Sequence, residues 1–124
     1  MKKTIIPTLN RTSRPFILYN EKLRRANALV TKDTAYHEGD LLVLSADNVL
    51  THATDEKSWN VICGQDVTAT EATQNAADAT EIPIYFGGVF SIEAVTLQGE
   101  LLDSTKYSAA RAKATLNHIE LSKV

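Results

Sequence analysis

The sequence predicts a mainly β protein with one C-terminal α-helix, an α+β fold built as a single domain. Three observations predict it. Short apolar runs of strand length alternate with turn-forming residues along most of the chain. An alanine-rich stretch near the end favours a helix. The length of 124 residues, with 44% hydrophobic content, suits one domain with a core of its own.

The N-terminal segment is basic and the rest of the chain is acidic. Through Ala35 there are eight basic and two acidic residues, a net charge of +6, whereas from Tyr36 onward there are five basic and thirteen acidic residues, a net charge of −8. Such a division indicates that the two parts meet different partners. We therefore predict a basic N-terminal arm with a lead-in strand over residues 1–35 and a compact body over residues 36–124.

The first 15 residues are predicted to be a free arm, because they carry two prolines and several small polar residues without a helical period. An extended segment with a few apolar anchors can add to the edge of another protein's sheet. The alternative is a tail whose hydrophobic residues have no role. The candidate binding residues of the arm are Ile5, Ile6, Arg11, Arg14, Phe16, Ile17, Leu18 and Tyr19.

After the arm, residues 21–27 are predicted to form one helical turn and residues 28–31 a short strand. Gly39-Asp40 introduces an apolar run at residues 41–44, followed by a turn at residues 45–48 and a short run at Val49-Leu50. Trp59 opens a strand over residues 61–63, where the lone cysteine of the chain, Cys63, is expected to be buried and inert. Gly64 indicates a bulge or a close approach of two backbones.

The segment from Glu81 to Val95 contains two apolar runs that meet at Gly87-Gly88, and the pattern predicts a β-hairpin with a two-residue turn. Residues 68–80 before it are rich in Ala, Thr and acids. They favour an exposed loop, with a marginal helix over residues 71–79 as the alternative.

The C-terminal helix is predicted over Ser104 to Leu116, with Asp103 as the N-cap and Asn117 as the C-cap. Its apolar positions have helical spacing but small side chains, which suits close docking on a sheet. The following residues, 118–122, alternate between polar and apolar types, and this alternation predicts a half-buried terminal strand.

This order of strands, helix and terminal strand resembles the head decoration proteins of lambda-type tailed phages, over roughly residues 36–124. The resemblance implies a small β-barrel or β-clip-like fold with an extended N-terminal arm. It also implies a homotrimer that binds the major capsid protein on the outer surface of the expanded head. In this interpretation His37, expected to be exposed, and Trp59, expected in the core or at the barrel mouth, are possible trimer or capsid contacts.

The sequence offers no pattern for catalysis or cofactor binding. The histidines lie at no metal-ligand spacing, and no glycine-rich phosphate motif or nucleophile elbow occurs. We expect no enzyme activity, no cofactor, no metal and no membrane partner. A nucleic-acid-binding barrel is an alternative that the acidic body and 6% aromatic content disfavour. Another virion or tail component is a further alternative.

Overall fold

The computed structural model describes residues 17–123, and within them the fold is mainly β with two α-helices. The strands are β1 (Ile17–Val30), β2 (Leu41–Leu44), β3 (Val49–His52), β4 (Val61–Cys63), β5 (Ile82–Ser91), β6 (Thr96–Leu97), β7 (Glu100–Leu101) and β8 (Ile119–Ser122). The helices are α1 (Ala69–Asp78) and α2 (Tyr107–Leu116), and a 3-10 turn at Ser104–Lys106 leads into α2.

Five of the strands close into a ring. The strand order is β1-β3-β2-β4-β5, and β5 pairs in turn with β1. Most of these pairings are antiparallel, and the parallel one joins β1 to β3 at Leu29 and Val30. The last strand, β8, adds to β5 in parallel register, beyond the stretch of β5 that pairs with β4. Closure leaves few free sheet edges.

Side chains on the two faces of the ring build two separate cores. One core is formed by the barrel strands with Ala72 of α1, and it includes Val61, Cys63 and Ile84, which point to one side of β4 and β5. The other core lies under α2 and β8 and includes Ile62, from the opposite face of β4. Strand geometry accounts for this division, because successive residues of a strand face opposite sides of the sheet.

The predicted hairpin at Gly87-Gly88 is wrong. Both glycines lie inside one continuous strand, β5, which pairs with β1 along its length. A two-residue turn of type I′ needs positive φ at both positions, whereas of these two only Gly88 has it, at 135°. The glycines instead let another strand approach β5 closely.

Two other local predictions are also wrong. Residues 21–27, expected as a helical turn, belong to β1 because their backbone pairs with β5. The expected loop at residues 68–80 contains α1, so the expectation of a single helix fails. A capping box explains α1: the Thr68 hydroxyl accepts from the Glu71 backbone N–H, and the Glu71 carboxylate accepts from that of Thr68.

The strands predicted at residues 41–44 and 61–63 are confirmed, and the terminal strand predicted over residues 118–122 is present from Ile119 to Ser122. In the segment predicted as a C-terminal helix, Asp103 caps the 3-10 turn through the Thr105 N–H, and α2 follows. Ala110 and Ala114 lie on the buried face of α2, so the small side chains of this face do permit close packing. Leu116, the last residue of α2, is 74% exposed.

Candidate functional site

The first part of β1 is a strand with one free edge. Ile17 and Tyr19 pair with Phe90 and Val89 of β5, whereas β3 reaches only Leu29 and Val30. Within the described residues, the opposite edge of β1 over residues 17–27 therefore has no strand beside it. Unpaired backbone groups along such an edge are able to pair with another polypeptide.

This part of β1 is also irregular. The register shifts three times between Ile17 and Arg25, and Lys22 has a φ of 66°. Between Tyr19 and Arg24 the strand β1 advances further than β5 does, so the intervening residues of β1 bulge away from the ladder. A bulged strand holds its position with fewer ladder hydrogen bonds than a regular one.

Close packing of this region accounts for Gly87-Gly88. A Cβ atom at Gly87 would lie 2.9 Å from Cδ of Arg24, and one at Gly88 would lie 3.0 Å from Cδ1 of Leu23. The two glycines therefore make room for the side chains of β1 to lie across β5. Gly64 has a similar role, since a Cβ there would lie 2.9 Å from the carbonyl oxygen of Pro83.

Exposed cations cluster beside this packing. Lys22, Arg24 and Arg25 are all exposed. The Arg24 guanidinium lies 5.8 Å from the ring centroid of Phe86, and that of Arg25 lies 5.8 Å from the ring of Tyr85. Phe86, like Gly88, has no register partner in β1, and it is 39% exposed. The result is a basic and aromatic surface, since guanidinium groups are attracted to ring faces.

The structure places the predicted binding residues in different settings. Ile5, Ile6, Arg11, Arg14 and Phe16 lie outside the described residues. Ile17, Leu18 and Tyr19 belong to β1, where Ile17 and Leu18 are half-buried. These last three residues are thus part of the strand that pairs with the protein's own β5.

His37 and Trp59 lie apart from this surface. His37 is exposed, as predicted, and its backbone N–H donates to the carboxylate of Asp40 at 2.8 Å. Asp40 is itself buried and also accepts from the Thr96 hydroxyl. Trp59 is fully buried in the core under α2, so the single chain presents none of its surface to a partner.

The thiol of Cys63 is inaccessible. Cys63 is 0% exposed and its Sγ donates to the carbonyl oxygen of Gln65 at 3.1 Å. Burial raises the pKa of the thiol to about 12, and the nearby carboxylate of Asp40 acts in the same direction. The thiolate, which is the nucleophilic form, is therefore scarce at neutral pH.

Residues 17–123 contain no group of three His, Cys, Asp or Glu side chains placed to hold a metal ion. No helix in that range is long and apolar enough to cross a membrane.

Sequence reasoning missed the surface formed by Arg24, Arg25 and Phe86. The signal was present as an Arg-Arg pair and an aromatic residue next to a Gly-Gly pair, but only the pairing of β1 with β5 brings them together. No protein-family model matches the sequence, and comparison with curated proteins also found no match.

Proposed function

We propose that this protein is a phage head decoration protein, which binds the outer surface of the expanded capsid as a trimer and stabilises it. The observation that carries the proposal is the free, basic edge at the start of β1, because a highly basic segment leads directly into it. A rigid barrel with such a leader is suited to attaching itself to another protein. The C-terminal helix followed by a short terminal strand, which resembles the end of lambda-type decoration proteins, supports the same function.

In this proposal the barrel is the body and residues 1–16 are the capsid-binding arm, with Ile5 and Ile6 as its apolar anchors and Arg11 and Arg14 as its charges. Ile17 and Tyr19 pair with β5 and so anchor the base of the arm to the body. Phe16 and Leu18 flank that junction. The major capsid protein is the partner, and the virion surface is the location.

The energetics favour a trimer. One arm supplies a few backbone hydrogen bonds and one or two buried apolar side chains, worth about 1.5–3 kcal/mol each when fully buried. Three arms on one trimer bind at a high effective concentration, so avidity exceeds the affinity of a single arm by about 10²- to 10⁴-fold. A trimer that bridges several coat subunits stabilises the closed shell against the pressure of packaged DNA, because it binds only the assembled state.

Deletion of residues 1–16 tests the arm. The deletion spares every described strand, so we expect a folded protein whose co-sedimentation with expanded heads is at least about 100-fold weaker. In the full chain, Ile5→Asp with Ile6→Asp should weaken binding in the same way, and Leu101→Asp, at a 66% exposed leucine outside the arm, is the matched control. Full binding by the deleted protein would refute the arm's role.

A second comparison tests the capsid itself as the partner. We expect the protein to bind emptied, expanded heads and not unexpanded precursors. Equal binding to both would contradict the proposed specificity, and absence of binding to either would contradict the function.

The surface formed by Arg24, Arg25 and Phe86 favours a second candidate, a module that binds single-stranded nucleic acid. Exposed cations beside an aromatic ring are the groups that contact phosphates and stack on bases. Filter binding of single-stranded DNA at low salt separates the two candidates. Tight binding that Arg24→Ala with Arg25→Ala abolishes would support the nucleic-acid module.

A further inference from the structure

A groove of about 470 Å³ lies between the loop that follows β1 and the start of α1. Its floor is apolar and its rim is acidic. Ala35, Tyr36, Val67 and Ala69 contribute to the floor, while Asp66 and Glu71 lie at the rim.

The groove has a fixed shape. Tyr36 and Val67 exchange two backbone hydrogen bonds, of 2.8 and 2.9 Å, which join its two walls. The Tyr36 hydroxyl donates to the Leu50 carbonyl oxygen and accepts from the Thr31 backbone N–H, each at 2.9 Å. Tyr36 is thereby locked to the barrel, and the groove does not have to form when a segment binds.

The rim is negative for a structural reason. The Glu71 carboxylate lies in the first turn of α1, where it accepts a hydrogen bond from the Thr68 backbone N–H. A negative charge at this position interacts favourably with the positive N-terminal end of the helix dipole. The Asp66 carboxylate is held by a bond from the Glu38 N–H at 2.9 Å. Both side chains are exposed, and each carboxylate has acceptor capacity beyond its single bond.

We propose that residues 2–14 of the same chain dock in this groove when the protein is free. This segment contains four basic residues and no acidic one, and it carries the apolar pair Ile5-Ile6 close behind Lys2-Lys3. The apolar pair covers the floor while the lysines meet Asp66 and Glu71. Residues 22–32 also join basic charge to large apolar side chains, but most of them are already paired within β1.

The segment is long enough to reach the groove. β1 starts opposite Phe90 and ends beside the groove, past the pairing of Ala28 with Ile82. At about 3.3 Å per residue, β5 covers about 26 Å from Phe90 to Ile82. The twelve residue-to-residue steps from Ile5 to Ile17 span up to about 40 Å when the chain is extended. Because the segment is attached to the same chain, its effective concentration at the groove is on the order of 1 mM.

Paramagnetic broadening in the full chain tests the docking. Thr4→Cys introduces a site for a nitroxide label, since the native Cys63 is buried and unreactive. We expect the label to broaden the backbone amides of Ala35, Val67 and Ala69 far more than those of α2. Addition of salt should reduce the broadening, because exposed ion pairs are screened.

Neutral isosteres provide the matched comparison. Asp66→Asn with Glu71→Gln removes both rim charges but keeps the hydrogen bonds, since Gln also serves in a capping box. We expect the docked-to-free ratio to fall about three- to tenfold, the effect of losing two exposed ion pairs. Glu93→Gln with Glu100→Gln removes the same charge from exposed positions away from the groove and should leave the broadening unchanged.

Three results would overturn the proposal. One is the absence of selective broadening at the groove amides, and another is equal loss of broadening in the rim and control variants. The third comes from mixing spin-labelled protein with a separate isotope-labelled sample: broadening that depends on the mixture would assign the groove to a neighbouring copy. The docking concerns the free protein, so these results do not depend on whether the protein binds a capsid.

Discussion

The two ends of β1 differ in what holds them. At the C-terminal end, Ala28 and Val30 are buried in the barrel, the register is regular, and partners flank the strand on both sides. At the N-terminal end the side chains of Ile17, Leu18 and residues 22–27 are half-buried or exposed, the register shifts three times, and one edge is free among the described residues. One strand therefore closes the barrel at one end and has a free edge at the other, so substitutions at the two ends should have different consequences.

The largest difference is expected from deleting apolar volume at each end. Ile82, which pairs with Ala28, is buried in the barrel, and Ile82→Ala should lower the free energy of unfolding by about 2–5 kcal/mol. Ile17 is half-buried, so Ile17→Ala should cost only about 1 kcal/mol. Urea denaturation followed by circular dichroism measures both, and equal losses would show that the two ends are equally structural.

The glycine pair sharpens the comparison at the irregular end. Gly88 has a φ of 135°, which side chains disfavour, so Gly88→Ala should cost about 1–3 kcal/mol of unfolding free energy. Gly87→Ala should cost less, because Gly87 does not have a positive φ and the two nearest atoms, Cδ and Cγ of Arg24, belong to a flexible side chain. Adding Arg24→Ala to Gly87→Ala should recover part of the loss. Denaturation of the four proteins checks this order, and a costlier Gly87→Ala would contradict the packing described.

Cys63 lies in the same core as Ala28 and Val30 and gives a pH test of the regular end. Its pKa is raised from 9.0 to about 12 on folding, so the buried thiol favours the folded state fully below pH 9 and loses that effect as the pH rises towards 12. Between pH 9 and pH 12 the free energy of unfolding of the native protein should therefore fall faster than that of Cys63→Ala. The difference between the two slopes should be up to about 1.4 kcal/mol per pH unit. Parallel curves for the two proteins would show that solvent reaches the thiol.

The smallest effect is expected at α1, which packs near β1. Thr68→Ala removes the side-chain acceptor of the capping box and should cost about 1 kcal/mol. Hydrogen exchange should then quicken in α1 but not in α2. Thr70→Ala, on the exposed side of the same helix, is the control. Uniform acceleration across the protein would mean that α1 does not open by itself.

Local signals predicted part of this fold. The strand at residues 61–63 and the terminal strand at residues 119–122 follow from short apolar or alternating runs, and Asp103 caps its turn as its residue type suggests. The capping box at Thr68 and Glu71 was also readable in the sequence, but the low apolar content of the segment favoured a loop. In this segment the capping box at the helix N-terminus was a better guide to the structure than the low apolar content.

Other features depended on contacts that a sequence pattern does not specify. A Gly-Gly pair between apolar runs is typical of a tight turn, and equally of a place where another strand crosses closely. Leu23 and Arg24, which decide between the two, are distant in sequence from Gly87. The same pairing overrides the helical propensity of residues 21–27. The free edge of the candidate site could not be predicted without knowing that β1 belongs to the ring.

Closure of the ring by β1 and β5 has a kinetic consequence. Nearly the whole set of barrel strands separates these two in the sequence, and such distant pairing is slow because loop-closure entropy is lost before the contacts form. During synthesis, β2 and β3 can pair early, whereas β1 has to wait for β5 to leave the ribosome. For that interval the barrel stays open along the edge where β1 will pair with β5.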